Sequence, residues 1–245
     1  MAIADEPGSC VPGKVFPVST GEKSVSLNNS VIQPESVIAE QLRKLRNILA
    51  YPSSAAPVHS VLITSCLPGE GKTTLAVNLS AVMARGVKSS VVLIDADLRR
   101  QSLTSSLGQR DRPGLMELLA GKAEAEEVVM RTDIPNLYFL PAGAKSSAPA
   151  ELLVPARIKN LFEQLTSRQA EIFVILDSTP LISTSEAGIL ASLVDGVVLV
   201  VRAERTRRDI VVREYKSIDS RKLLGVVLNG AEFEASQYYR KYYDY

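Results

Sequence analysis

The sequence predicts a doubly wound α/β domain, in which helices cover both faces of a mainly parallel sheet. Two observations lead to this prediction. Short apolar runs alternate along the chain with segments of helical periodicity, and these runs are continuously apolar rather than alternating. Continuous runs are typical of strands that are buried on both faces, as in parallel sheets. With 245 residues, 46% of them hydrophobic, the chain is long enough for one substantial core.

The elements can be assigned in order along the chain. The first predicted helix runs from Pro34 to about Leu49, because its apolar residues fall on one arc when each residue advances by about 100°. That arc contains Val37, Ile38, Leu42, Leu45, Ile48 and Leu49. Strands are then predicted at residues 60–65, 91–97, 137–143, 172–178, 196–203 and 223–229. Helices are predicted between them at residues 72–86, 114–120, 150–167, 185–193 and 207–220.

Composition divides the chain into three parts. Residues 1–32 mix proline and glycine with polar residues and are predicted to form a flexible arm. Residues 33–232 form the predicted α/β domain. Residues 233–245 form a tail that holds five of the eight tyrosines, namely Tyr238, Tyr239, Tyr242, Tyr243 and Tyr245. Exposed aromatic residues at a terminus gain little from burial, so this cluster indicates a function, such as that of a tethered substrate. An ordinary sticky tail or an aromatic interaction motif is the alternative.

Charge and cysteine content disfavour several classes of protein. The formal net charge of +1 argues against a protein that mainly neutralises a nucleic acid backbone. Cys10 and Cys66 are the only cysteines, so neither a disulfide framework nor a zinc site is indicated, and a reducing cytoplasm is the expected compartment. The apolar stretches are too short to span a bilayer, and the first residues lack the pattern of a secretory signal. We therefore expect any membrane association to come through a partner.

The most specific motif follows the first core strand and reads SCLPGEGKTT, residues 65–74. A strand, a glycine-containing turn and a helix that opens with Lys-Thr are typical of a loop whose N–H groups surround nucleotide phosphates. We expect Lys72 to reach the β- and γ-phosphates, Thr73 to bind magnesium and Thr74 to lie beside the α-phosphate. The predicted nucleotide-binding loop also includes Pro68, Gly69, Glu70 and Gly71. Cys66 departs from the strict pattern, which has glycine there, and an ordinary turn before a helix is the alternative.

Carboxylates that follow two predicted strands can complete a site for magnesium and phosphoryl transfer. Asp95 and Asp97 lie in VVLIDADLRR, and Asp177 lies in FVILDSTP. Because the carboxyl ends of parallel strands open on the same edge of the sheet, these acids are expected to converge beside the phosphate loop. Alternatively, Asp95 and Asp97 cap the segment that follows them.

Together, LPGEGKTT, VVLIDADLRR, VILDSTP and the tyrosine-rich terminus resemble the cytoplasmic domain of bacterial tyrosine kinases, a family associated with capsule and exopolysaccharide export. The resemblance covers about residues 33–245 and implies the P-loop NTPase fold. The helix motif of that family, Glu-x-x-Arg-x-x-Arg, matches at Glu40, Arg43 and Arg46. The nucleotide motifs are shared with related ATPases, so the tail and this helix discriminate between the families.

The resemblance implies an ATP-dependent protein tyrosine autokinase that uses Mg²⁺. The catalytic residues would be Lys72, Asp95 and Asp97, and the metal-binding residues would be Thr73, Asp97 and Asp177. Asp95 would be the candidate base for the incoming hydroxyl, with Asp95 and Asp97 able to exchange roles. Asn229 would contact the adenine base. Gln101 departs from the family, in which proline is frequent at this position.

The resemblance also implies ring-like homo-oligomers in which subunits phosphorylate the tail tyrosines of one another, with Glu40, Arg43 and Arg46 at the interface. Spacing alone would instead favour exposed pairs such as Glu40 with Lys44. A separate transmembrane activator or chain-length regulator would recruit the cytoplasmic chain to the inner face of the cell membrane. A cognate tyrosine phosphatase is a further implied partner. We hypothesise that a phosphorylated tail leaves the acidic site of the neighbour and loosens the ring.

Other functions stay open from the sequence. A ParA/MinD-like positioning ATPase has a lysine early in the loop, where this chain has Leu67, and does not explain the tyrosines. A GTPase is disfavoured, because Asn229 is followed by Gly-Ala-Glu rather than by Lys-x-Asp. From a different class, the chain could be a regulatory subunit that binds ATP without transferring phosphate to protein, although the predicted metal-binding acids are present.

Overall fold

The fold is built on one seven-stranded sheet, seen in a computed structural model that describes residues 24–27, 30–33, 36–50, 57–86, 89–146, 148–166 and 172–231. The strands are β1 (Ser60–Ser65), β2 (Ser90–Asp95), β3 (Met130–Arg131), β4 (Leu137–Leu140), β5 (Ile172–Asp177), β6 (Gly196–Arg202) and β7 (Leu223–Asn229). The helices are α1 (Val37–Ala50), α2 (Lys72–Gly86), α3 (Ser102–Ser106), α4 (Leu115–Leu119), α5 (Ala125–Val128), α6 (Pro155–Thr166), α7 (Ser185–Leu193) and α8 (Arg208–Ser217).

The order of the strands is β3-β4-β2-β5-β1-β6-β7. Every neighbouring pair is parallel except β3 with β4, which is antiparallel. The predicted doubly wound, mainly parallel sheet is therefore confirmed. The short elements β3, α3 and α5 were not predicted, because elements of two to five residues give too little periodicity to recognise. The predicted strand at 137–143 ends early, at Leu140, since Pro141 has no N–H group for the ladder.

The sheet separates two apolar cores, one on each face. Alternate residues of β1 face opposite sides, so Leu62 packs with α4 and α6, whereas Val61 and Ile63 pack with α2. All six residues of β1, β2 and β5 are buried. These central strands are therefore packed on both faces. This packing holds in place the side chains at their carboxyl ends, along one edge of the sheet.

Only part of the predicted apolar arc of α1 is buried. Leu42 and Leu49 lie in the core, whereas Val37, Ile38 and Ile48 are 52%, 61% and 56% exposed. The difference arises because α1 packs on α2 along one side only. Its other apolar side borders an open groove of about 960 Å³, which is also lined by α2 and by the edge strand β7.

A short segment before α1 belongs to the fold. Val25 and Leu27 are buried, and their N–H groups donate to the carbonyl of Arg131 at 3.0 Å and to Oδ1 of Asp133 at 2.9 Å. The segment predicted as a flexible arm, residues 1–32, therefore includes residues that pack into the core. The tail at residues 233–245 lies outside the described part of the chain. No helix in the described ranges combines the length and the apolar character needed to cross a membrane.

Candidate active site

The loop between β1 and α2 has the geometry of a phosphate-binding turn. Gly71, which precedes Lys72, has φ of +94°, a conformation that favours glycine. A Cβ at Gly71 would lie 2.1 Å from Nδ2 of Asn229, so a larger side chain would also collide with β7. The chain then enters α2 at Lys72, and the N–H groups of the first helical turn have no partners within the helix. This helix start is suited to an anion.

A cleft of about 410 Å³ opens at this loop. Its lining consists of Pro68, Gly69, Gly71, Lys72, Thr73, Thr74, Asp97, Arg99, Arg100, Ser102, Thr179, Pro180, Ser183 and Thr184. The structure thus brings the phosphate loop together with one of the predicted acids. The predicted site residues did not include the two arginines, Ser102 or the segment after β5, although the Arg99-Arg100 pair, two residues after Asp97, was a usable signal.

The strand order places the predicted acids side by side. Because β5 lies between β2 and β1, Asp177 is directly in register with Asp95 on one side and with Ile63 on the other. Asp95 and Asp177 are 0% and 1% exposed. Two carboxylates thus lie side by side in the interior of the protein.

Asp177 is a buried carboxylate without a hydrogen-bond partner on either oxygen in the described part of the chain. Burial, followed by the charge of Asp95, raises the pKa of Asp177 from 3.8 to about 8, and the ammonium of Lys72 offsets only part of this effect. Burying a polar group without a hydrogen-bond partner costs free energy unless a ligand or an ion compensates for it. The Asp177 carboxylate is therefore suited to bind a cation.

The two aspartates at the end of β2 and just after it differ in their surroundings. Asp95 accepts the N–H of Thr104 at 2.7 Å on Oδ2 and the N–H of Asp97 at 3.2 Å on Oδ1, so both of its oxygens are occupied. Burial raises the pKa of Asp95 to about 6. Asp97 accepts the N–H of Arg100 at 3.0 Å on Oδ1 and lines the cleft. The capping interpretation therefore describes the bonds of both residues, and only Asp97 faces the site.

The residues present fit a magnesium ion that is shared with a nucleotide. No group of three or more His, Cys, Asp or Glu among the described residues forms a metal site by itself. Mg²⁺ is usually bound through one or two protein oxygens, with substrate phosphates and water completing the octahedron. The two oxygens of Asp177 have no hydrogen-bond partner in the described ranges and lie close to the Thr73 hydroxyl, and this donor set suits such an ion.

Two residues that were predicted to contact the nucleotide, Asn229 and Glu70, form hydrogen bonds within the protein. Asn229 lies against Gly71 and donates from Nδ2 to the carbonyl of Glu70 at 2.8 Å. The side chain of Glu70, which we predicted as part of the nucleotide site, does not line the cleft. It is 1% exposed and faces the segment that follows β6. A direct nucleotide contact by the Glu70 carboxylate is therefore not supported.

The predicted interface residues lie on α1, away from the cleft. Glu40 pairs with Arg43 within the helix. Arg46 donates to Oδ1 of Asn47 at 3.1 Å, and its guanidinium also lies over Gly86, at the end of α2. The structure does not bring these residues to the nucleotide loop.

Gln101 adopts a backbone conformation that proline cannot adopt. Its φ is +52°, whereas the proline ring holds φ near −65°, and its N–H donates to the carbonyl of Asp97 at 2.7 Å. The Gln101 side chain also donates to the carbonyl of Gly143 at 3.0 Å. Gln101, which stands where proline is frequent in the family, thus forms a left-handed turn after Asp97 that proline could not form.

Comparisons with known proteins agree on one family. Residues 61–211 match the family model described as AAA domain. The chain is 33% identical over 215 residues to the tyrosine-protein kinase YwqD of Bacillus subtilis, covering 87% of this chain and 90% of that one. It is 35% identical over 210 residues to the putative tyrosine-protein kinase EpsB of Ralstonia solanacearum, covering 84% of this chain but 27% of that one. The chain thus spans nearly all of one relative and about a quarter of the other.

Solved structures give the same result. The kinase domain of the Escherichia coli tyrosine kinase ETK aligns with a TM-score of 0.73 and 28% identity, covering 86% of this chain and 80% of that one. The septum site-determining protein MinD of Pyrococcus horikoshii, complexed with Mg-ADP, aligns with a TM-score of 0.53 and 24% identity, covering 75% and 76%. The likeness to MinD extends to the fold alone.

Asp177→Asn is expected to stabilise the nucleotide-free protein at pH 8 and to change it little near pH 4. The folded protein holds a proton on Asp177 between the ordinary pKa of 3.8 and the raised value of about 8. The unfolded chain has lost that proton, so the contribution of Asp177 to stability is complete below about pH 4 and is lost as pH rises towards 8. Each unit of difference between the two pKa values corresponds to about 1.4 kcal/mol.

Urea unfolding at about pH 4, 6 and 8, without magnesium or nucleotide, measures this difference. Asp111→Asn, on an exposed turn, is the matched control for the loss of one carboxylate. Parallel pH profiles for the parent and Asp177→Asn would contradict the buried, protonated state of Asp177.

Proposed function

This chain belongs to the bacterial tyrosine-protein kinases that carry an AAA domain, and from this premise we propose that it transfers the γ-phosphate of ATP to tyrosines of its own C-terminal segment. The family assignment confirms the resemblance found in the motifs. The observation that supports the proposed chemistry best is the cleft that Lys72 and Asp97 both line, close to the buried Asp177 carboxylate, which has no hydrogen-bond partner among the described residues.

Phosphoryl transfer requires positioning and charge neutralisation more than covalent chemistry. We assign Lys72 and the N–H groups at the start of α2 to the nucleotide phosphates. Thr73 and Asp177 would hold magnesium, which supplies neutralisation of the phosphate charge when bound. Asn229, on β7 beside the loop, would contact the base. A ParA/MinD-like ATPase shares these parts of the fold, so the acceptor distinguishes the two functions.

The acceptor tyrosine must lose its proton. A free tyrosine has a pKa near 10, so its phenolate costs about 4 kcal/mol at pH 7. We assign the acceptance of this proton to Asp97, because its carboxylate lines the cleft, whereas both oxygens of Asp95 accept backbone N–H groups. Asp95 then acts as a support that fixes Thr104 and Asp97. The resemblance favoured Asp95 as the base and Asp97 as a metal-binding residue, so this choice differs for both aspartates.

We propose that the tail is the substrate. Residues 233–245 form a 13-residue segment that reaches at most about 45 Å when extended. Tethering gives its tyrosines, Tyr238, Tyr239, Tyr242, Tyr243 and Tyr245, a high effective concentration at a catalytic cleft. Modification in trans, within a homo-oligomer, suits a tail of this length. If α1 forms the interface, the pair between Glu40 and Arg43 would have to exchange for contacts with a neighbour.

We further propose a role in exopolysaccharide or capsule synthesis and export. One relative, from Rhizobium meliloti, is named a succinoglycan biosynthesis transport protein and is 31% identical over 224 residues. This chain covers 28% of that relative. A separate transmembrane activator at the inner face of the cell membrane, and a tyrosine phosphatase that resets the tail, would complete such a system.

Incubation with Mg-ATP should place phosphate on the C-terminal peptide of the parent protein and not on that of Lys72→Met. The substitution removes the cation that we assign to the β- and γ-phosphates, so the rate should fall by at least about 100-fold. Mass spectrometry of the peptide locates the modification, and Lys122→Met, on an exposed turn, is the control for loss of a lysine. ATP turnover with an unmodified tail, even when a membrane activator is supplied, would favour the ATPase alternative.

A comparison of Asp97→Asn with Asp95→Asn should distinguish the proposed catalytic role of Asp97 from the proposed structural role of Asp95. Asp97→Asn should lower kcat by about 100-fold or more, the usual contribution of a positioned general base, with little loss of stability. Asp95→Asn should destabilise the fold by about 1–3 kcal/mol, because an amide cannot accept both backbone donors. Tail phosphorylation rates at saturating ATP, with urea unfolding as the second measurement, test both. A larger loss of kcat in folded Asp95→Asn than in Asp97→Asn would return the role of base to Asp95.

A further inference from the structure

We propose that Glu70 is a positioning residue that clamps the phosphate loop to the segment after β6 and so sets nucleotide affinity. The proposal rests on the nucleotide site assigned above and extends it to a residue outside the cleft. The Glu70 side chain is 1% exposed and turns away from the cleft, so it acts through other groups rather than on the nucleotide.

The contacts of the carboxylate join two loops. Oε2 accepts the N–H of Leu67, in the phosphate loop itself, at 2.6 Å. Oε1 accepts the N–H of Arg202 at 3.0 Å and the hydroxyl of Thr206. Arg202 ends β6 and Thr206 lies four residues later, so one carboxylate ties the end of β6 and the following turn to the loop after β1.

The backbone of Glu70 extends the clamp to β7. Its carbonyl accepts Nδ2 of Asn229, and Gly71 packs against the same amide. The turn held by Glu70 also places Arg205 over the phosphate loop, since Nη1 of Arg205 would lie 3.8 Å from a Cβ on Gly69. Glu70 thus contacts both Asn229, which we assign to the base, and the loop that we assign to the phosphates.

The chemistry of the clamp requires a carboxylate. Three donors point at its two oxygens, and an ionised carboxylate accepts on both oxygens and donates on neither. Glutamine has the same shape, but its NH₂ group would face either the N–H of Leu67 or the donors of Arg202 and Thr206. A loop held in its binding conformation before the nucleotide arrives loses less conformational freedom on binding, which raises affinity.

A purely structural role for Glu70 makes a different prediction. If Glu70 only stabilised the fold, a substitution would reduce the folded fraction and thereby the apparent kcat. The folded molecules would still bind nucleotide with the parent affinity. A change in nucleotide affinity and in KM for ATP therefore distinguishes positioning from general stability.

The test uses the full chain and a fluorescent ADP analogue with Mg²⁺, with thermal unfolding to measure the folded fraction. Glu70→Gln is expected to weaken binding about tenfold, or about 1.4 kcal/mol, and to raise KM for ATP in parallel. Thr206→Val should weaken it about threefold, whereas Thr206→Ser, which keeps the hydroxyl, should bind like the parent. Glu204→Gln removes an exposed carboxylate from the same turn and should stay within about twofold of the parent.

The proposal is overturned if folded Glu70→Gln binds the ADP analogue within about twofold of the parent. If Glu70→Gln does not fold, Thr206→Val with unchanged affinity overturns it instead. The outcome is separate from that of the proposed function. A parent protein that binds ADP but leaves its tyrosines unmodified contradicts tyrosine phosphorylation alone, and an unaffected Glu70→Gln contradicts the clamp alone.

Discussion

The site depends on one physical constraint, the burial of the Asp177 carboxylate with no hydrogen-bond partner among the residues that the structure describes. Its position follows from the sheet, because β5 lies between β1 and β2 and ends beside Asp95 and the phosphate loop. A central, fully buried strand leaves this side chain no access to bulk solvent. Such a group is tolerated where a ligand compensates for its burial, so the packing that stabilises the fold also underlies the cation site that we propose.

The segments that follow β1, β2 and β6 contribute different groups to the region around Asp177. The loop after β1 presents the start of α2, and the turn after β2 divides its two aspartates between support and the cleft. Thr206, in the segment after β6, and Asn229, at the end of β7, both donate hydrogen bonds to Glu70 of the phosphate loop. The groove beside α1 shares Gly71, Thr74 and Asn229 with this region, so a molecule in the groove would adjoin the nucleotide loop.

The sequence could predict what local patterns determine. Each core strand is a continuous apolar run, and the phosphate loop and the acids stand directly after such runs. The strand order was not readable, because pairing of β5 with both β1 and β2 depends on distant segments. The direction of the Glu70 side chain and the occupied oxygens of Asp95 were equally hidden, since their partners lie 132 and nine residues away. The exposure of Ile38 depends on what packs beside α1.

The most direct test is the effect of magnesium on ADP affinity in the parent and in Asp177→Asn. Calorimetric titrations with magnesium and with a chelator give both affinities without any dependence on the acceptor. If Asp177 completes the cation site, magnesium should tighten ADP binding at least about tenfold in the parent, or about 1.4 kcal/mol, and have little effect in the variant. An equal gain from magnesium in both proteins would contradict the account.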